Sequence, residues 1–526
     1  MRPYDFEPAC WSVDKDGLDN TDKCPLGLLS FDGQNAPELS ILRGHLVSES
    51  TPTEDGGNAF ALDFDRKAVF GYSNDNKYYV LRNVHGMNAI PFSQAFIQQK
   101  LQGESIIVAN QRIDHNPSIS ELTVDLSGFS EWIRTCFSHK SYETTEAGNH
   151  ELKFTYNPED AHDILLYKGN DYEVYAKHFV EQDTCKTPRT FSFKETWQLN
   201  FRMLDSEGKP LNDALDNLFE PFEQLLTFCM GFPGNIEGIT FTGVNPAARG
   251  QYFGLYVPGK KDTIGRLAVN MPLPYPEISN RFQGIADKWM NATGDAQIAC
   301  RTAAALPGKW DKAIDVMFSL CAQSFEATSR VGENLSELSD EEFERRETCV
   351  LENINNKTIH NWAELKLKYA NLVSAGELAN RLWAKLDDFA NYVVPNKKLF
   401  LRQHRESRNT YTHMREPNSD NFLSGSGLYW HARAIQVLQY GAVLLYLGFQ
   451  PAEILSVFQE HDFMTSFIRK AQDMYAQVEQ HDDATRNPRD KQLGWTHGFL
   501  VWEPFRGVEG RMIGTYATAA SVENKP

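Results

Sequence analysis

The chain has 526 residues, of which 41% are hydrophobic and 23% are charged, as in ordinary globular proteins. At about 150 residues per domain this length predicts two to four domains, and the composition excludes a largely disordered chain, a collagen-like fibre and a small disulfide scaffold. The 52 basic and 70 acidic residues give a net charge of −18. Any contact with nucleic acid therefore has to be made by a local basic surface.

Cysteine usage and hydropathy predict a cytoplasmic protein without a membrane span. The eight cysteines are scattered and form no C-x-x-C pair, so a structural zinc site is not supported. Cys136 and His139 have a ligand-like spacing, but no second pair accompanies them, and a reduced thiol is the favoured interpretation. The N-terminus lacks the apolar stretch of a signal peptide. The most apolar segment, 434–449, is too short to cross a bilayer and predicts a buried helix.

The first 304 residues carry strand signals and form the predicted β-rich N-terminal domain, in one or two lobes. Apolar runs around Phe70 and at 78–81 flank the turn 73–76 and predict a hairpin. Short strands are predicted at 105–108 and 122–126.

Residues 191–203 give the clearest strand signal, because apolar and polar side chains alternate along them. Only Glu195 breaks this period of two, so the pattern predicts a half-buried strand in an antiparallel sheet. Between Leu211 and Met230 the apolar spacing changes to three and four, which predicts a helix.

From Trp310 onward the pattern is helical, so the fold class is α+β with several domains: the β-rich region is followed by an all-α bundle. Ser339 opens a helix with the S-x-x-E form of a capping box. The remaining segments predict six helices joined by short loops, at 311–330, 339–353, 362–394 (one or two helices), 397–414, 427–449 and 451–478. The predicted domains are 1–304, 305–480 and a polar and aromatic C-terminal tail, 481–526, that packs on the body.

A basic helix is predicted directly after Pro395. Residues 397–416 contain six basic and two acidic side chains, whereas 333–352 contain eight acidic side chains and two arginines. At about 100° per residue, one polar sector of roughly 140° collects most of the basic helix's functional side chains. Its members are Arg402, Arg405, Arg408, Asn409, Thr412 and His413. The opposite side carries Phe400, Ser407, Tyr411 and Met414, which can pack into the bundle. In the alternative interpretation this is a solvated face whose arginines pair with the acidic helix.

These residue types suit RNA cleavage by internal transesterification. The reaction needs a proton removed from the 2′-hydroxyl, a proton given to the 5′-oxygen and stabilisation of the phosphorane charge. His413 titrates near neutrality and can act as acid or base. Arg408 is permanently charged and its planar fork matches phosphate oxygens, while the Asn409 amide can position phosphate or the histidine. The polar sector holds one histidine per helix, so two copies of the helix across a two-fold axis would supply the second proton-transfer group.

The run Arg408-Asn409-Thr410-Tyr411-Thr412-His413 resembles the R-N-x-x-x-H form of the HEPN ribonuclease motif. The whole arrangement is similar to ApeA-type proteins, in which a β-rich N-terminal domain precedes an ApeA-like HEPN domain. The resemblance implies metal-independent endoribonuclease activity without a cofactor, a site shared across a HEPN homodimer, and a role in abortive-infection defence against phage. It assigns catalysis to Arg408, Asn409 and His413. Helix geometry adds Arg402, His404 and Arg405 as residues expected to contact RNA.

The motif R-x-x-x-x-H is weak by itself, because chance produces it about once in every two chains of this size. Arg134 and His139 also fit it, but they lack the asparagine and basic neighbours, and we interpret them as ordinary surface or core-edge residues. His431, on the following helix, is interpreted as a packing histidine.

Two functions from different classes remain open at this point. The first is a ribonuclease that acts on RNA, with tRNA among the candidate substrates, and that the N-terminal domain restrains until it senses a phage-protein trigger. The second is a non-catalytic module whose helical bundle dimerises and whose β domain binds protein or carbohydrate.

Overall fold

The computed structural model of the protein describes residues 4–5, 8–32, 35–44, 46, 50–52, 58–60, 65–93, 96–144, 150–184, 191–254, 270–305, 313–413, 421–461 and 464–485. All structural statements below concern these residues. The predicted C-terminal tail lies outside them except at 481–485, which continue the last helix.

The N-terminal region is built from antiparallel strands, as the alternating pattern predicts. Their bounds are β1 Tyr4–Asp5, β2 Ala9–Ser12, β3 Leu26–Phe31, β4 Glu38–Arg43, β5 Ser50–Pro52, β6 Asn58–Phe60, β7 Asp65–Ser73, β8 Tyr78–Ser93, β9 Phe96–Gln102, β10 Ser105–Ala109, β11 Ser118–Leu126, β12 Ser138–Thr144, β13 His150–Tyr156, β14 Ile164–Lys168, β15 Tyr172–Thr184, β16 Phe191–Met203, β17 Lys209–Pro210, β18 Ile236–Gly243 and β19 Arg249–Phe253. The predicted hairpin is confirmed as β7 and β8, and the predicted short strands are β10 and β11.

Six strands close into a barrel-like ring in the order β8-β7-β2-β3-β4-β9, with β9 pairing back onto β8. The interior is apolar because alternate residues of each strand point inward. Trp11, Leu39, Leu81 and Leu101 are completely buried at its centre. Gly27 and Gly71 flank the Trp11 ring so closely that an added Cβ would lie 2.9 Å from it. These two positions therefore exclude a side chain.

An open sheet continues from the ring in the order β8-β10-β19-β18-β11-β16-β15-β14. The strand predicted at 191–203 is confirmed as β16, which pairs antiparallel with β11 and β15. Asn200 lies on its predicted polar side but is buried. Its amide donates to Glu121 Oε1 at 2.9 Å and to Thr123 Oγ1 at 2.8 Å, so the polar side is covered at this point.

Glu195, the residue that breaks the alternation, lies on the apolar side of β16 as a buried carboxylate. It accepts hydrogen bonds from the backbone N–H of Phe137 at 2.7 Å and of Ser138 at 3.2 Å, and from Cys136 Sγ at 2.9 Å. Its Oε1 also lies 2.8 Å from His178 Nε2. Burial alone would raise the pKa of Glu195, but these hydrogen bonds lower it to about 2.

The helices of the chain follow mainly after the strands, as predicted. Their bounds are α1 Phe129–Ile133, α2 Leu211–Asp213, α3 Glu220–Met230, α4 Tyr275–Ile278, α5 Phe282–Met290, α6 Gly294–Ala305, α7 Ile314–Arg330, α8 Asp340–Glu352, α9 Lys357–Leu367, α10 Ala375–Leu386, α11 Asp388–Val393, α12 Lys397–His413, α13 Gly425–Leu447, α14 Pro451–Glu460 and α15 Thr465–Thr485. A π-helical segment, Ala214–Phe219, joins α2 to α3.

Two helix predictions are wrong. The segment 362–394 holds the end of α9 together with α10 and α11, and 451–478 is divided between α14 and α15. Asp387 has a φ of 48° between α10 and α11, and Met464 has a φ of 58° before α15. A right-handed helix cannot continue through such residues. The predicted cap is confirmed, because Ser339 Oγ accepts the N–H of Glu342 at 3.3 Å.

The chain divides into two compact units. Among the described residues, the first contains the sheets, α1–α6, the second half of α7, α8–α10, the first half of α11, the second half of α13 and α14. The second contains the first half of α7, the second half of α11, α12, the first half of α13 and nearly all of α15. In the described chain no helix combines the length and apolarity needed to cross a membrane. The apolar segment 434–449 is largely buried in α13, as predicted.

Candidate active site on helix α12

Helix α12 has a buried side that holds it in the second unit. Its start is capped by Asn396, whose Oδ1 accepts the N–H of Leu399 at 3.0 Å. Phe400 and Ser407 are fully buried at a spacing of seven residues, two helical turns. On the opposite side Arg405 and Thr412 are exposed, whereas Arg402, Arg408 and Asn409 are half-buried.

Two side chains of the buried side also hold the chain that leads into α13. Ser407 Oγ accepts the N–H of Leu423 at 3.0 Å, and the Tyr411 hydroxyl donates to the Leu423 carbonyl at 3.2 Å. Tyr411 packs between Phe318 at 5.6 Å and Phe422 at 5.4 Å, measured between ring centroids. Ser407 and Tyr411 were predicted only to pack, and nothing local in the sequence signals their bonds to a residue more than ten positions away.

The exposed side carries the predicted catalytic residues in the expected order. Arg408 and Asn409 are both half-buried, and Arg408 Nη1 donates to Asn409 Oδ1 at 3.2 Å. Arg405 is exposed and forms an ion pair with Glu406 at 3.1 Å, while Arg402 is half-buried. His413 is the last residue of α12, and its side chain lies outside the described residues. The structure thus brings Arg408 and Asn409 together at the edge of the exposed side.

His404 occupies a different place from the one expected of an RNA-contacting residue. Only 8% of the residue is exposed, and its ring stacks on that of His431 at 5.7 Å. Helical periodicity accounts for this position, because His404 lies about 40° from Phe400 around the helix. We therefore reassign His404 from contacting RNA to supporting α12 from inside the unit.

His431 is a packing histidine, as predicted. It is fully buried in α13, lies 4.5 Å from the Phe400 ring, and its Nδ1 shares a 2.5 Å hydrogen bond with the Tyr475 hydroxyl of α15. Its Nε2 has no hydrogen-bond partner in the described part of the chain. Burial and the neighbouring His404 lower the pKa of His431 well below its usual value. Burial and the Arg408 charge lower that of His404 to about 4.

Acidification is expected to destabilise this part of the protein through His404. The unfolded chain takes up a proton near pH 6.5 and the folded chain only near pH 4, so stability is lost as the pH falls between these values. At pH 5 the loss from His404 is about 2 kcal/mol, and His431 acts in the same direction. Urea unfolding at pH 7 and pH 5 should show a smaller pH effect for His404→Phe than for the wild type. Equal pH effects in the two proteins would contradict the prediction.

The acidic segment before and within α8 has basic partners close by in its own unit. Glu342 pairs with Arg345 at 2.8 Å and with Arg346 at 2.7 Å, within the same helix. Glu333 pairs with Arg381 at 3.3 Å and also with Lys385. Two of the eight acidic residues at 333–352, Glu333 and Glu342, therefore have counter-charges within their own unit.

The second R-x-x-x-x-H sequence forms no comparable site. Arg134 ends α1 with a φ of 55° and lies 3.5 Å from Glu277, whereas His139 is exposed in β12. The two residues belong to different elements, so they share no helix face. They are ordinary surface residues, as predicted. In the part of the chain that the structure describes, no group of three or more His, Cys, Asp and Glu side chains could hold a metal ion.

Comparison with protein families assigns both halves of the chain. Residues 17–289, more than half of the chain, match the ApeA N-terminal domain 1, and residues 321–453 match the ApeA-like HEPN domain. The chain is an ApeA-type HEPN protein. No curated protein and no solved structure matches it. The HEPN match includes all of α12, and with it the motif from Arg408 to His413.

The family gives this ApeA-type protein a general role as a HEPN effector in defence. HEPN domains are generally nucleases that act on RNA, and they often dimerise.

Proposed function

We propose that this ApeA-type protein is an endoribonuclease whose active site is the exposed side of α12. The observation that supports this proposal most directly is the 3.2 Å hydrogen bond between Arg408 and Asn409, inside the segment that matches the HEPN domain. Because the opposite side of α12 is packed and bonded to Leu423, the helix backbone under Arg408 is held in place. Electrostatic stabilisation of a phosphorane requires a guanidinium that is fixed in position.

The proposed reaction is internal transesterification of RNA. The 2′-oxygen attacks phosphorus, the bond from phosphorus to the 5′-oxygen breaks, and the products are a 2′,3′-cyclic phosphate and a 5′-hydroxyl. The proton of the 2′-hydroxyl leaves to a base and an acid protonates the 5′-oxygen, so no net proton is consumed. Arg408 binds the nonbridging oxygens through its planar fork, and Asn409 orients that fork. His413 carries one of the two proton transfers.

A second copy of the chain is part of this proposal. Each α12 carries one histidine of the motif, and the reaction has two proton transfers, so two helices across a two-fold axis supply both groups. Arg402 and Arg405 extend the positive charge along α12 and are proposed to bind the flanking phosphates. RNA, with tRNA among the candidate substrates, and a second chain are the partners.

Regulation by the N-terminal domain completes the proposal. The net charge of −18 disfavours RNA binding away from α12, which suits a nuclease restrained until a phage-protein trigger is sensed. Adding extract from phage-infected cells to the purified full chain should raise its RNA cleavage above the level seen with extract from uninfected cells. Equal cleavage with both extracts would contradict sensing of a phage trigger.

The test of the nuclease is cleavage of total bacterial RNA by the purified full chain in EDTA, with and without extract from infected cells. We expect new 5′-hydroxyl ends that the His413→Ala protein does not produce, and the mapped positions will name the RNA class. New 5′-phosphate ends, or equal cleavage by wild type and His413→Ala, would reject the proposal. Full protection against phage by His413→Ala would favour the non-catalytic binding module.

A further inference from the structure

The hairpin of α8 and α9 in the first unit presents a large apolar surface to solvent. In the described chain none of the side chains of α8 is buried, and in α9 only Ala363 is. Trp362 is 60% exposed, Leu365 69% and Tyr369 63%. We define the hairpin surface as these three residues with the other exposed apolar residues beside them, Val350, Ile359 and Leu372. Monomeric proteins rarely leave a contiguous apolar patch of this size uncovered.

The hairpin is well ordered, so this exposure does not come from fraying ends. Asn356 caps α9 by accepting the N–H of Thr358 at 2.9 Å and of Ile359 at 3.2 Å. At the base of the hairpin, the N–H of Glu337 donates to the Asn371 carbonyl at 2.8 Å. The N–H of Val373 donates to the Leu335 carbonyl at 2.9 Å. Val350, Ile359, Trp362 and Leu365 therefore stand on two helices with bonded ends, and Tyr369 and Leu372 lie in the bonded segment that follows α9.

A groove runs between the two helices beside the apolar stripe. Its volume is about 690 Å³, and it is lined by Phe343, Glu347, Asn361, Glu364, Leu365 and Lys368. At about 100° per residue, Leu365 lies 60° from Trp362 on α9 and also lines the groove, so it joins the groove to the apolar stripe of Ile359 and Trp362. Stripe and groove form one continuous surface, with a ridge of large side chains next to a cavity that can receive such side chains.

The two helices of the hairpin carry opposite net charges, negative on α8 and positive on α9. Helix α8 carries six acidic residues against Arg345 and Arg346, whereas α9 and the residue after it carry Lys357, Lys366 and Lys368 against Glu364. This distribution disfavours RNA, because the acidic helix would repel phosphates beside the aromatic side chains. It favours a protein surface with the reverse arrangement of charge.

We propose that the hairpin surface binds the hairpin surface of a second copy of this chain. A two-fold axis places α8 of one copy against α9 of the other, so acidic and basic residues face each other in both halves of the contact. The stripe of each copy then covers the groove of the other. The six side chains are each about half exposed, so their accessible area is roughly 600 Å² per copy. This area is near the lower limit of a stable interface. The inference does not depend on the proposed nuclease, since its readout is molecular mass.

Charge reversal tests the proposal directly. The first variant, Glu341→Lys with Glu344→Lys and Glu347→Lys, makes α8 basic, and the second, Lys366→Glu with Lys368→Glu, makes α9 acidic. Each variant alone places like charges together in both halves of the contact, whereas a mixture of the two restores attraction in both halves. Glu159→Lys with Glu207→Lys and Glu237→Lys, at exposed positions of the β-rich region, is the control for the added positive charge.

The measurement is the mass of the full chain by light scattering across a concentration series. We expect the wild type and the control to associate. Each variant alone should lose the association made by the hairpin surface, and an equimolar mixture of the two variants should regain it. Trp362→Ala should weaken the association at least about tenfold. A monomeric wild type of 59.8 kDa, unchanged variants or an unrestored mixture would overturn the proposal. A monomer whose Trp362 cross-links to RNA would overturn it in favour of an RNA surface. His413→Ala tests the nuclease and should keep the wild-type mass.

Discussion

Replacement of Arg408 by alanine is expected to slow RNA cleavage by about 10³-fold without unfolding the protein. The guanidinium is the permanent charge proposed to stabilise the phosphorane, and removal of one such group costs about 10²–10³-fold or more in other enzymes. Arg408 is half-buried on a side of α12 that the packing residues do not use, so its loss should leave the melting temperature nearly unchanged. Single-turnover cleavage of a mapped RNA site measures the effect. Arg301→Ala, an exposed arginine of α6, is the matched control for charge.

Asn409 provides a sharper variant of the same experiment. Asn409→Asp keeps the size of the side chain but places a carboxylate about 3.2 Å from Arg408 Nη1, where it pairs with the guanidinium and repels phosphate. We expect Asn409→Asp to lose about 10²-fold in rate and Asn409→Ala to lose less. Cleavage at the wild-type rate by both Arg408→Ala and Asn409→Asp would show that α12 is not the active site.

Replacement of Glu195 by alanine is expected to lower the free energy of unfolding of the β-rich region by about 3–5 kcal/mol. The change removes the acceptor for two backbone N–H groups and leaves His178 buried without its carboxylate. Denaturant unfolding followed by tryptophan fluorescence measures the loss, because Trp197 lies 5.0 Å from the His178 ring. Glu181→Ala, an exposed glutamate on the neighbouring β15, should change stability by less than about 0.5 kcal/mol.

The pH dependence gives an independent check on Glu195. With a folded pKa of about 2 against 4.5 for the free side chain, its stabilisation is complete above pH 4.5 and is lost as the pH falls toward 2. The Glu195→Ala protein should lack this part of the acid sensitivity. An Ala variant that is as stable as the wild type at neutral pH, with an unchanged acid profile, would show that the network contributes nothing.

The candidate site could be predicted from the sequence because its main signals are local. The spacing of Arg408, Asn409 and His413 lies within two turns of one helix, and the basic composition of α12 contrasts with the net charge of the chain. The same periodicity already placed His404 with Phe400 on the packed side. Its assignment to RNA contact followed from its position one helical turn before Arg408, but one turn from Phe400 it also lies beside the packed side of the helix.

Features that depend on distant residues could not be predicted in this way. The breaks at Asp387 and Met464 depend on tertiary contacts, because Met is a good helix former and the low helix propensity of Asp does not by itself end a helix. Glu195 looked like an interruption of a strand because its partners at 136–138 are almost 60 residues away. The hairpin surface was not predicted either, because an amphipathic sequence pattern does not show whether another element packs on its apolar side.

The long strand β8 has a consequence for cooperativity. Its first residues, 78–82, are hydrogen-bonded to β7 on one side and to β10 on the other, and its later residues close the ring through β9. One strand is thus the shared wall of the ring and the open sheet, so a loss of its backbone order would disturb both. In amide hydrogen exchange the two should behave as one foldon, with the slowest exchange at 78–82. The domain matched to the ApeA N-terminal family then transmits a local disturbance across the whole sheet.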